Sequence, residues 1–338
     1  MGFHLPLIFA ILSLAAVALA NHAAQPAPQL YWNSVLPNTQ MPRAISELLH
    51  PDTTNEEKGK PEIIPLAREK YSSPPSDEGK PEIIPLAREK YSPPNPRKRY
   101  ARGSPPSDSQ LLHYKELAIF FFEKDMRPGA TMKFQFPRSS NTATFLPRES
   151  AQSIPFSSNK LPEIFNHFSV KPTSVEAKTI KETIEECEAS GLKGEEKYCA
   201  TSLESMVDFS TSKLGTRNVE AISTEVLERG ATMSMHNYTT MPGLKKLEGD
   251  KVVVCHKENY PYAVYFCHAI KQTAAYVLSL KGDDGEKVKA ATICHLDTSE
   301  WDPEHLSFQI LDVKPGTVPI CHFISTDGIV WVPKHKSA

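Results

Sequence analysis

Several features that mark common enzyme classes are missing from this 338-residue chain. Glycine is scarce, with 15 residues, and there is no G-x-S-x-G nucleophile elbow, no H-E-x-x-H helix and no glycine-rich phosphate-binding loop. The 38 lysines and arginines are balanced by 40 acidic residues, so the basic excess of a general nucleic-acid-binding protein is absent. Beyond the N-terminus, no apolar run is long enough to span a membrane. These absences argue against a hydrolase, a nucleic-acid partner and a membrane-spanning protein.

The single long apolar run lies at the N-terminus, over residues 5–20. It ends in an A-x-A cleavage site at Ala18–Ala20, which predicts a signal peptide over residues 1–20. A membrane anchor is the alternative, but the run is short and no basic cluster follows it. The sequence therefore predicts export to the apoplast, the cell wall or a storage vacuole, where disulfides form. The only N-x-S/T sequon begins at Asn237, which becomes a predicted glycosylation site.

A proline-rich segment separates the N-terminus from the cysteine-containing half. Residues 51–110 hold 12 prolines, 21 charged residues and no cysteine, a composition that predicts disorder. Within it the sequence GKPEIIPLAREKYS occurs twice, over 59–72 and 79–92. Two copies are too few for a stacked repeat fold, so packing does not explain their identity. The basic cluster Arg97–Arg99 that follows is a predicted processing site, with a solvated charge run as the alternative.

The composition changes at about residue 111, and all six cysteines follow. Helical spacing predicts helices over 173–188 and 197–213, whereas the apolar run 117–122 predicts a buried strand. Short apolar runs separated by turn signals predict further strands in the C-terminal half. The predicted fold is α+β, with a β-rich, disulfide-braced domain over 111–338 preceded by about two helices. The strand-like runs lie at 252–255, 263–267, 275–280, 290–294, 317–321 and 329–332.

The dipeptide Cys-His occurs four times, each time after one of these strand-like runs. Adjacent side chains on a strand point to opposite faces, so the cysteines can collect on one face and the histidines on the other. Imidazole binds Zn, Cu, Fe and Ni, but the C-x₂₋₄-C spacing of a structural zinc site is absent. We therefore predict a copper (Cu²⁺) site, with ordinary histidines beside disulfides as the alternative. The pairs are Cys255-His256, Cys267-His268, Cys294-His295 and Cys321-His322; weaker candidates for an additional role are His236, His305 and His335.

The cysteine pairing stays open at this point, because six cysteines allow fifteen connectivities. Cys187 and Cys199 are close enough in sequence to form a separate bridge. Their alternative is a pair of buried free thiols, which an oxidising compartment disfavours.

The spacing CH-x₁₀-CH-x₂₅-CH-x₂₅-CH resembles the signature of the plant BURP-domain family. The resemblance covers nearly the whole chain except 51–110, a region that this family varies and often fills with tandem repeats. It implies a short conserved segment over 21–50 and a BURP domain over 111–338. Other segments that resemble the family are Tyr31–Thr39, Phe121–Phe122, Tyr198–Met206 and Trp331–Pro333.

The resemblance implies a secreted protein of the seed, stress-response or cell-wall-associated type. Some family members are copper-dependent peptide cyclases that oxidatively crosslink a Tyr or Trp of a core peptide, often in their own N-terminal region. By this resemblance, Tyr71 and Tyr91 of the two repeats are the candidate crosslinked side chains. Charged residues directly before both tyrosines count against a compact macrocycle. The alternatives are a non-catalytic protein that contacts cell-wall polymers and an enzyme acting on a separate precursor.

Overall fold

A computed structural model of the chain describes residues 26–49, 120–136, 142–191, 194–228, 235–247, 249, 251–269 and 271–334. The predicted signal peptide, both repeats with their tyrosines and the basic cluster at Arg97–Arg99 lie outside the described residues. What the sequence indicates for those segments stays a prediction.

Twelve strands in the described residues form two antiparallel sheets. The larger sheet has the order β1-β5-β9-β10-β11, with β4 added at β10 and β6 at β9; the smaller has the order β2-β8-β7-β12-β3. The α+β, β-rich fold predicted from the sequence is confirmed. The strands are β1 Thr131–Phe134, β2 Glu196–Ala200, β3 Val219–Ile222, β4 Glu225–Glu228, β5 His236–Thr240, β6 Lys245–Lys246, β7 Val253–Glu258, β8 Val264–Ala269, β9 Thr273–Gly282, β10 Lys287–His295, β11 Ile320–Phe323 and β12 Ile329–Pro333.

The helices are mostly short and lie before or between the strands. The two longest helices each begin with a serine N-cap. The side chain of Ser174 accepts a hydrogen bond from Ala177 N, and that of Ser202 accepts one from Ser205 N. None of the helices in the described part of the chain is long and apolar enough to cross a membrane. The helices are α1 Ala27–Val35, α2 Arg43–Ser46, α3 Arg148–Ser153, α4 Leu161–His167, α5 Val175–Glu188, α6 Leu203–Leu214 and α7 Leu306–Leu311; Glu123–Met126 and Ser158–Lys160 form 3₁₀ turns.

Two of the predicted elements differ from the structure. The helix predicted over 197–213 begins only at Leu203, because the preceding residues form β2 and pair with β8. The strand predicted over 117–122 is also wrong where the structure describes it, since Phe121 makes only an isolated bridge to Cys321. In both cases pairing and packing from distant strands override the local pattern.

The two sheets pack face to face around a shared apolar layer. From the smaller sheet this layer contains Val254 and Val330, and from the larger sheet it contains Ala275, Ala291 and Ile293. Burial of each valine or isoleucine side chain in this layer contributes about 1.5–3 kcal/mol, so the layer holds the sheets together. The space between the sheets is therefore the centre of the domain.

The N-terminal segment covers the outer face of the smaller sheet together with α6. Trp32 of α1 is 2% exposed and lies 5.5 Å from Trp331 of β12, measured between ring centroids. Thr39 donates a side-chain hydrogen bond to the carbonyl of Val219 in β3. Residues of the segment 26–49 thus belong to the same core as the C-terminal strands.

Three disulfides brace the fold, as the sequence predicted. One joins Cys187 at the end of α5 to Cys199 in β2. The other two lie across neighbouring antiparallel strands, with a Cα–Cα distance of 4.0 Å in each. They join Cys255 to Cys267 and Cys294 to Cys321, so all six cysteines are paired.

Candidate metal centre

The alternation of side chains along the strands directs all four histidines of the Cys-His pairs towards the space between the sheets. In β7, Cys255 belongs to the core on the outer face of the smaller sheet, the face that α6 covers. Val254 belongs to the layer between the sheets. His256 has the same parity as Val254 and therefore faces inward. In β10, Ile293 belongs to the layer between the sheets, so His295 faces inward too. The same alternation turns His268 and His322 inward, because Cys267 and Cys321 lie in the outer cores.

The strand register brings these histidines together as two pairs. Cys255 is directly opposite Cys267, so His256 and His268 are diagonal neighbours on the same face, and Nε2 of His256 lies 3.3 Å from Nε2 of His268. The second hairpin repeats the arrangement, because Cys294 is opposite Cys321. There Nε2 of His295 lies 3.4 Å from Nε2 of His322. Two imidazole nitrogens at this distance can share either one hydrogen bond or one cation.

Hydrogen bonds to the other ring nitrogen orient one member of each pair. Nδ1 of His268 lies 2.8 Å from Oε1 of Glu195, whose side chain is fully buried. Nδ1 of His322 lies 3.2 Å from the carbonyl of Phe323. A carboxylate and a carbonyl can only accept, so Nδ1 donates in both contacts. With Nδ1 as the donor, Nε2 of His268 and of His322 is the nitrogen left to bind a metal ion, and it faces the partner histidine.

The pKa values indicate that the second pair stays neutral. Burial, followed by the charges of His322 and His268, lowers the pKa of His295 well below its usual range. Burial, opposed by the hydrogen bond to Phe323 and aided by the charge of His268, lowers the pKa of His322 to about 4. Neutral imidazole is the form that binds metal ions, so both rings are in the ligand state near neutral pH.

The two pairs interact with each other electrostatically, since His268 and His256 of the smaller sheet both affect the pKa of His295 in the larger one. Facing sheets are separated by about 10 Å, a distance that inward histidines from both sides can fill. The four rings nevertheless do not form one tight cluster. Among the described residues, the only set of three or more potential ligands within 4.8 Å of one another is His236, Asp283 and Asp284. The arrangement is two facing two-histidine sites.

Aromatic side chains form a wall beside the second pair. The ring centroid of Trp301 lies 5.0 Å from that of His295, and Phe120 lies 6.4 Å from His322. His305 packs between these two aromatic rings, 4.8 Å from Trp301 and 5.8 Å from Phe120. Because Trp301 and Phe120 are both buried, this wall gives one side of the centre an apolar lining.

The other residues singled out from the sequence lie elsewhere. His236 contacts Asp283 and Asp284 near the opposite end of β9 and β10 from His295, so it does not join the four histidines. His335, Tyr71 and Tyr91 lie outside the residues described by the structure. Asn237 is exposed on β5, and its Nδ2 lies 3.2 Å from Oδ2 of Asp283.

The donor set fits copper. Two nitrogens bound to one ion at about 2.0–2.1 Å are at most about 4.2 Å apart, and both Nε2–Nε2 distances are below this limit. All four donors are imidazoles, which Cu(II) binds more tightly than the other divalent first-row ions do. The contact between Glu195 and His268 is the carboxylate–histidine arrangement common behind metal ligands. The histidines that would hold copper are thus His256, His268, His295 and His322.

Sequence reasoning missed three residues of this site: Glu195, Trp301 and Phe120. Nothing local separates Glu195 from the acidic residue beside it, Glu196, which is exposed and pairs with Lys213. Trp301 lies in a turn-rich stretch with no strand or helix pattern. Only the tertiary fold brings these side chains to the histidines.

The chain was compared with known proteins. Residues 119–333 match the family model described as BURP domain. The chain is 48% identical over 227 residues to BURP domain protein RD22 of Arabidopsis thaliana, covering 66% of this chain and 58% of RD22. It is 39% identical over 319 residues to BURP domain-containing protein 5 of Oryza sativa subsp. japonica, covering 94% and 90% of the two chains. It is 31% identical over 358 residues to Protein RAFTIN 1B of Triticum aestivum, covering 97% and 98%.

The match with RD22 thus extends over little more than half of that relative's length, while the other two matches extend over nearly all of theirs. The family match covers more than half of this chain, including both histidine pairs and all three disulfides. On the sequence match, the chain belongs to the BURP-domain family of plant proteins.

Proposed function

We propose that this BURP-domain protein is a copper-dependent oxidative peptide cyclase that acts on its own repeats. The reaction joins the side chain of Tyr71 or Tyr91 to a nearby carbon of the same repeat. The observation that carries the proposal is the arrangement of four inward-facing histidines, three of them buried, as two Nε2–Nε2 pairs. The protein would act in the secretory pathway or beyond, in the apoplast, the cell wall or a storage vacuole, since three disulfides are typical of that route.

Bound copper supplies one-electron oxidation, and a phenol is readily oxidised in this way. Each crosslink removes two hydrogens from the peptide, one from the tyrosine and one from the carbon that it joins. These two electrons and two protons pass to dioxygen, which becomes hydrogen peroxide. The residues of the chain hold the neutral imidazoles in place: Glu195 and the Phe323 carbonyl each accept a hydrogen bond from an Nδ1–H. The buried rings of Trp301 and Phe120 pack against His295 and His322 and give the second pair an apolar wall.

Covalent connectivity supports action on the chain's own repeats. Both repeats lie between Leu49, which is buried in the core, and Phe120, whose ring is 6.4 Å from that of His322. Tyr91 precedes Phe120 by about 30 residues, which span at most about 100 Å when extended. The substrate tyrosines are therefore tethered to the wall of the candidate centre, which raises their effective concentration.

Mass spectrometry of the purified mature chain tests the proposal. After incubation with Cu(II) in air, we expect a loss of two hydrogens per crosslink, located by digestion in 59–72 or 79–92. The variant carrying both Tyr71→Phe and Tyr91→Phe should lose no mass. Tyr100→Phe is the matched control, because Tyr100 lies in the same segment but outside both repeats, and it should behave as wild type.

Two further outcomes discriminate the alternatives. Unchanged mass in a chain that binds copper would favour a non-catalytic, secreted role such as contact with cell-wall polymers. Modification of a separately added peptide without self-modification would favour an enzyme acting in trans. For the proposed reaction the initial rate per molecule should not change with protein concentration, because the substrate is part of the same chain.

A further inference from the structure

A second cluster of metal-binding side chains lies away from the four histidines. His236 begins β5, while Asp283 and Asp284 form the turn between β9 and β10. Register places Tyr238 opposite Gly282 at this end of the sheet and Thr273 opposite His295 at the other. With a rise of about 3.3 Å per residue, the two ends of β9 are roughly 30 Å apart. The cluster is therefore separate from the candidate copper centre and independent of the function proposed above.

The side chains of this cluster converge on one point. Nδ1 of His236 lies 2.9 Å from Oδ1 of Asp283, and Nε2 lies 3.2 Å from Oδ2 of Asp284. One potential ligand atom from each of the three residues lies within 4.8 Å of the other two. The His236 side chain is 9% exposed and that of Asp284 is 10% exposed, whereas Asp283 is half exposed and opens the cluster to solvent.

One carboxylate oxygen in the cluster lacks a hydrogen-bond donor. Oδ1 of Asp284 accepts a hydrogen bond from the backbone N–H of Glu286, at 3.0 Å. Oδ2 is buried and accepts no hydrogen bond from the described residues, and the nearest cationic group is His236, whose Nε2 lies 3.2 Å away. A buried carboxylate oxygen without a donor is costly, and a bound cation removes that cost.

The surroundings add negative charge to the cluster. The hydroxyl of Tyr238 donates to the carboxylate of Glu286, which is buried beside the same turn. The carboxylate of Glu286 thus lies in the same turn region as those of Asp283 and Asp284, and the combined field of the three attracts a cation.

We propose that His236, Asp283 and Asp284 bind a divalent cation of the Zn²⁺ type. Zn²⁺ accepts imidazole nitrogen and carboxylate oxygen together, at about 2.0–2.2 Å, and is commonly held by three protein ligands with water as the fourth. Ca²⁺ and Mg²⁺ prefer all-oxygen sets, so the imidazole disfavours them. The bound ion clamps β5 to the β9–β10 turn. The competing explanation is a protonated His236 held between two carboxylates without any ion.

Zinc binding by the mature chain tests this site. The protein is first treated with Cu(II) and freed of excess metal; Zn²⁺ is then added and bound ions are counted by native mass spectrometry. We expect wild type to bind one zinc more than Asp284→Asn, which retains the turn hydrogen bond through its side-chain oxygen. Asp302→Asn is the matched control, because Oδ1 of Asp302 accepts an equivalent bond from the N–H of Glu304, at 2.9 Å. It should bind zinc as wild type does.

The comparison between wild type and Asp284→Asn remains valid even if the histidine pairs bind zinc instead of copper. Both proteins contain those pairs, so the expected difference is still one zinc ion. Native disulfide content and near-ultraviolet circular dichroism check that Asp284→Asn is folded. X-ray absorption at the zinc edge of copper-treated wild type gives an independent measurement and should report one imidazole in a mainly oxygen shell. Equal zinc counts in wild type and Asp284→Asn, a site that binds only Ca²⁺, or a zinc shell without imidazole would each overturn the proposal.

Discussion

At the scale of single residues, the candidate copper centre depends on what holds Nδ1 of His268 and of His322. Glu195 is a carboxylate that contacts a ring of the four-histidine set, that of His268, and it does so from a fully buried position. It fixes the tautomer of His268 and strengthens Nε2 as a donor. Its neighbour Glu196 has the same chemistry but is exposed and pairs with Lys213 instead. This pair of adjacent glutamates offers a controlled comparison.

Glu195→Gln should weaken copper binding by roughly 10- to 100-fold, the usual effect of losing a partner behind a metal ligand. The amide can still hydrogen-bond Nδ1 of His268 but carries no charge to increase the basicity of the ring. Competition with a chelator of known affinity measures the change. Glu196→Gln should leave the affinity unchanged, and equal effects of the two substitutions would contradict a specific role for Glu195.

His305 gives a prediction for the stability of the metal-free protein. Burial lowers its pKa to about 4, from about 6.5 in an unfolded chain, although Asp302 opposes the shift. Between these pH values the unfolded chain holds a proton that the folded one lacks, so the free energy of unfolding falls as pH falls from about 6.5 to about 4. The loss attributable to this residue is at most about 3 kcal/mol. Protonation also removes the hydrogen bond that Nδ1 accepts from the N–H of Ser307 at the start of α7.

Urea unfolding at pH 7, 5.5 and 4, in the presence of a chelator, measures this dependence. His305→Asn retains a helix-capping acceptor but does not titrate, so its stability should fall less on acidification than that of wild type. His167→Asn replaces an exposed histidine and should leave the wild-type slope unchanged. If the free energy of unfolding of His305→Asn fell with pH as steeply as that of wild type, other groups would be the cause of the acid sensitivity.

At the scale of elements, local patterns predicted the strands of the C-terminal half well. All six predicted runs of the C-terminal half contain or overlap a strand of the structure. The helix predicted from residue 197 was wrong at its start, because Tyr198 pairs with Cys267 across β2 and β8. Pairing between strands distant in sequence leaves no local signature, so the facing of the two sheets and the contact of Glu195 with His268 could not be predicted.

The disulfide between β10 and β11 sets the spacing of the His295–His322 pair, because the residues directly before both histidines are covalently joined. Replacement of Cys294 and Cys321 by alanine should reduce stability by about 3 kcal/mol, since the bridge closes a loop with a sequence separation of 27. It should also reduce copper affinity by at least tenfold. Chemical denaturation and chelator competition measure the two effects.

Replacement of Cys187 and Cys199 by alanine is the comparison. That bridge joins α5 to β2 and carries no Cys-His pair, so its removal should reduce stability with a smaller effect on affinity. Equal losses of copper affinity in both double variants would indicate that the bridges act only through global stability.

At the scale of the whole molecule, the N-terminal segment is part of the folded domain. Besides the contact between Trp32 and Trp331, the N–H of Phe145 donates to the carbonyl of Leu48, and Leu36 and Ile45 are buried in the core of the smaller sheet. The stability of the C-terminal strands therefore depends on residues that precede the repeats.

Trp32→Ala should lower the free energy of unfolding by about 3–5 kcal/mol, because it leaves a cavity next to Trp331. Leu30 lies on the same helix but is 53% exposed, so Leu30→Ala should change stability by no more than about 0.5 kcal/mol. Denaturant unfolding followed by tryptophan fluorescence measures both. Similar values for the two variants would mean that α1 is not part of the cooperative unit.

Because α1 lies before the repeats and Phe120 lies after them, liberation of a repeat peptide requires two backbone cleavages. A protease acting only at Arg97–Arg99 would leave a nicked protein whose two pieces stay together through buried side chains such as Trp32 and Ile45. The nicked form would elute as one particle in native chromatography and separate only in denaturant. Maturation would then take two cleavage steps, and α1 would stay bound to the domain as part of a separate, non-covalently held chain.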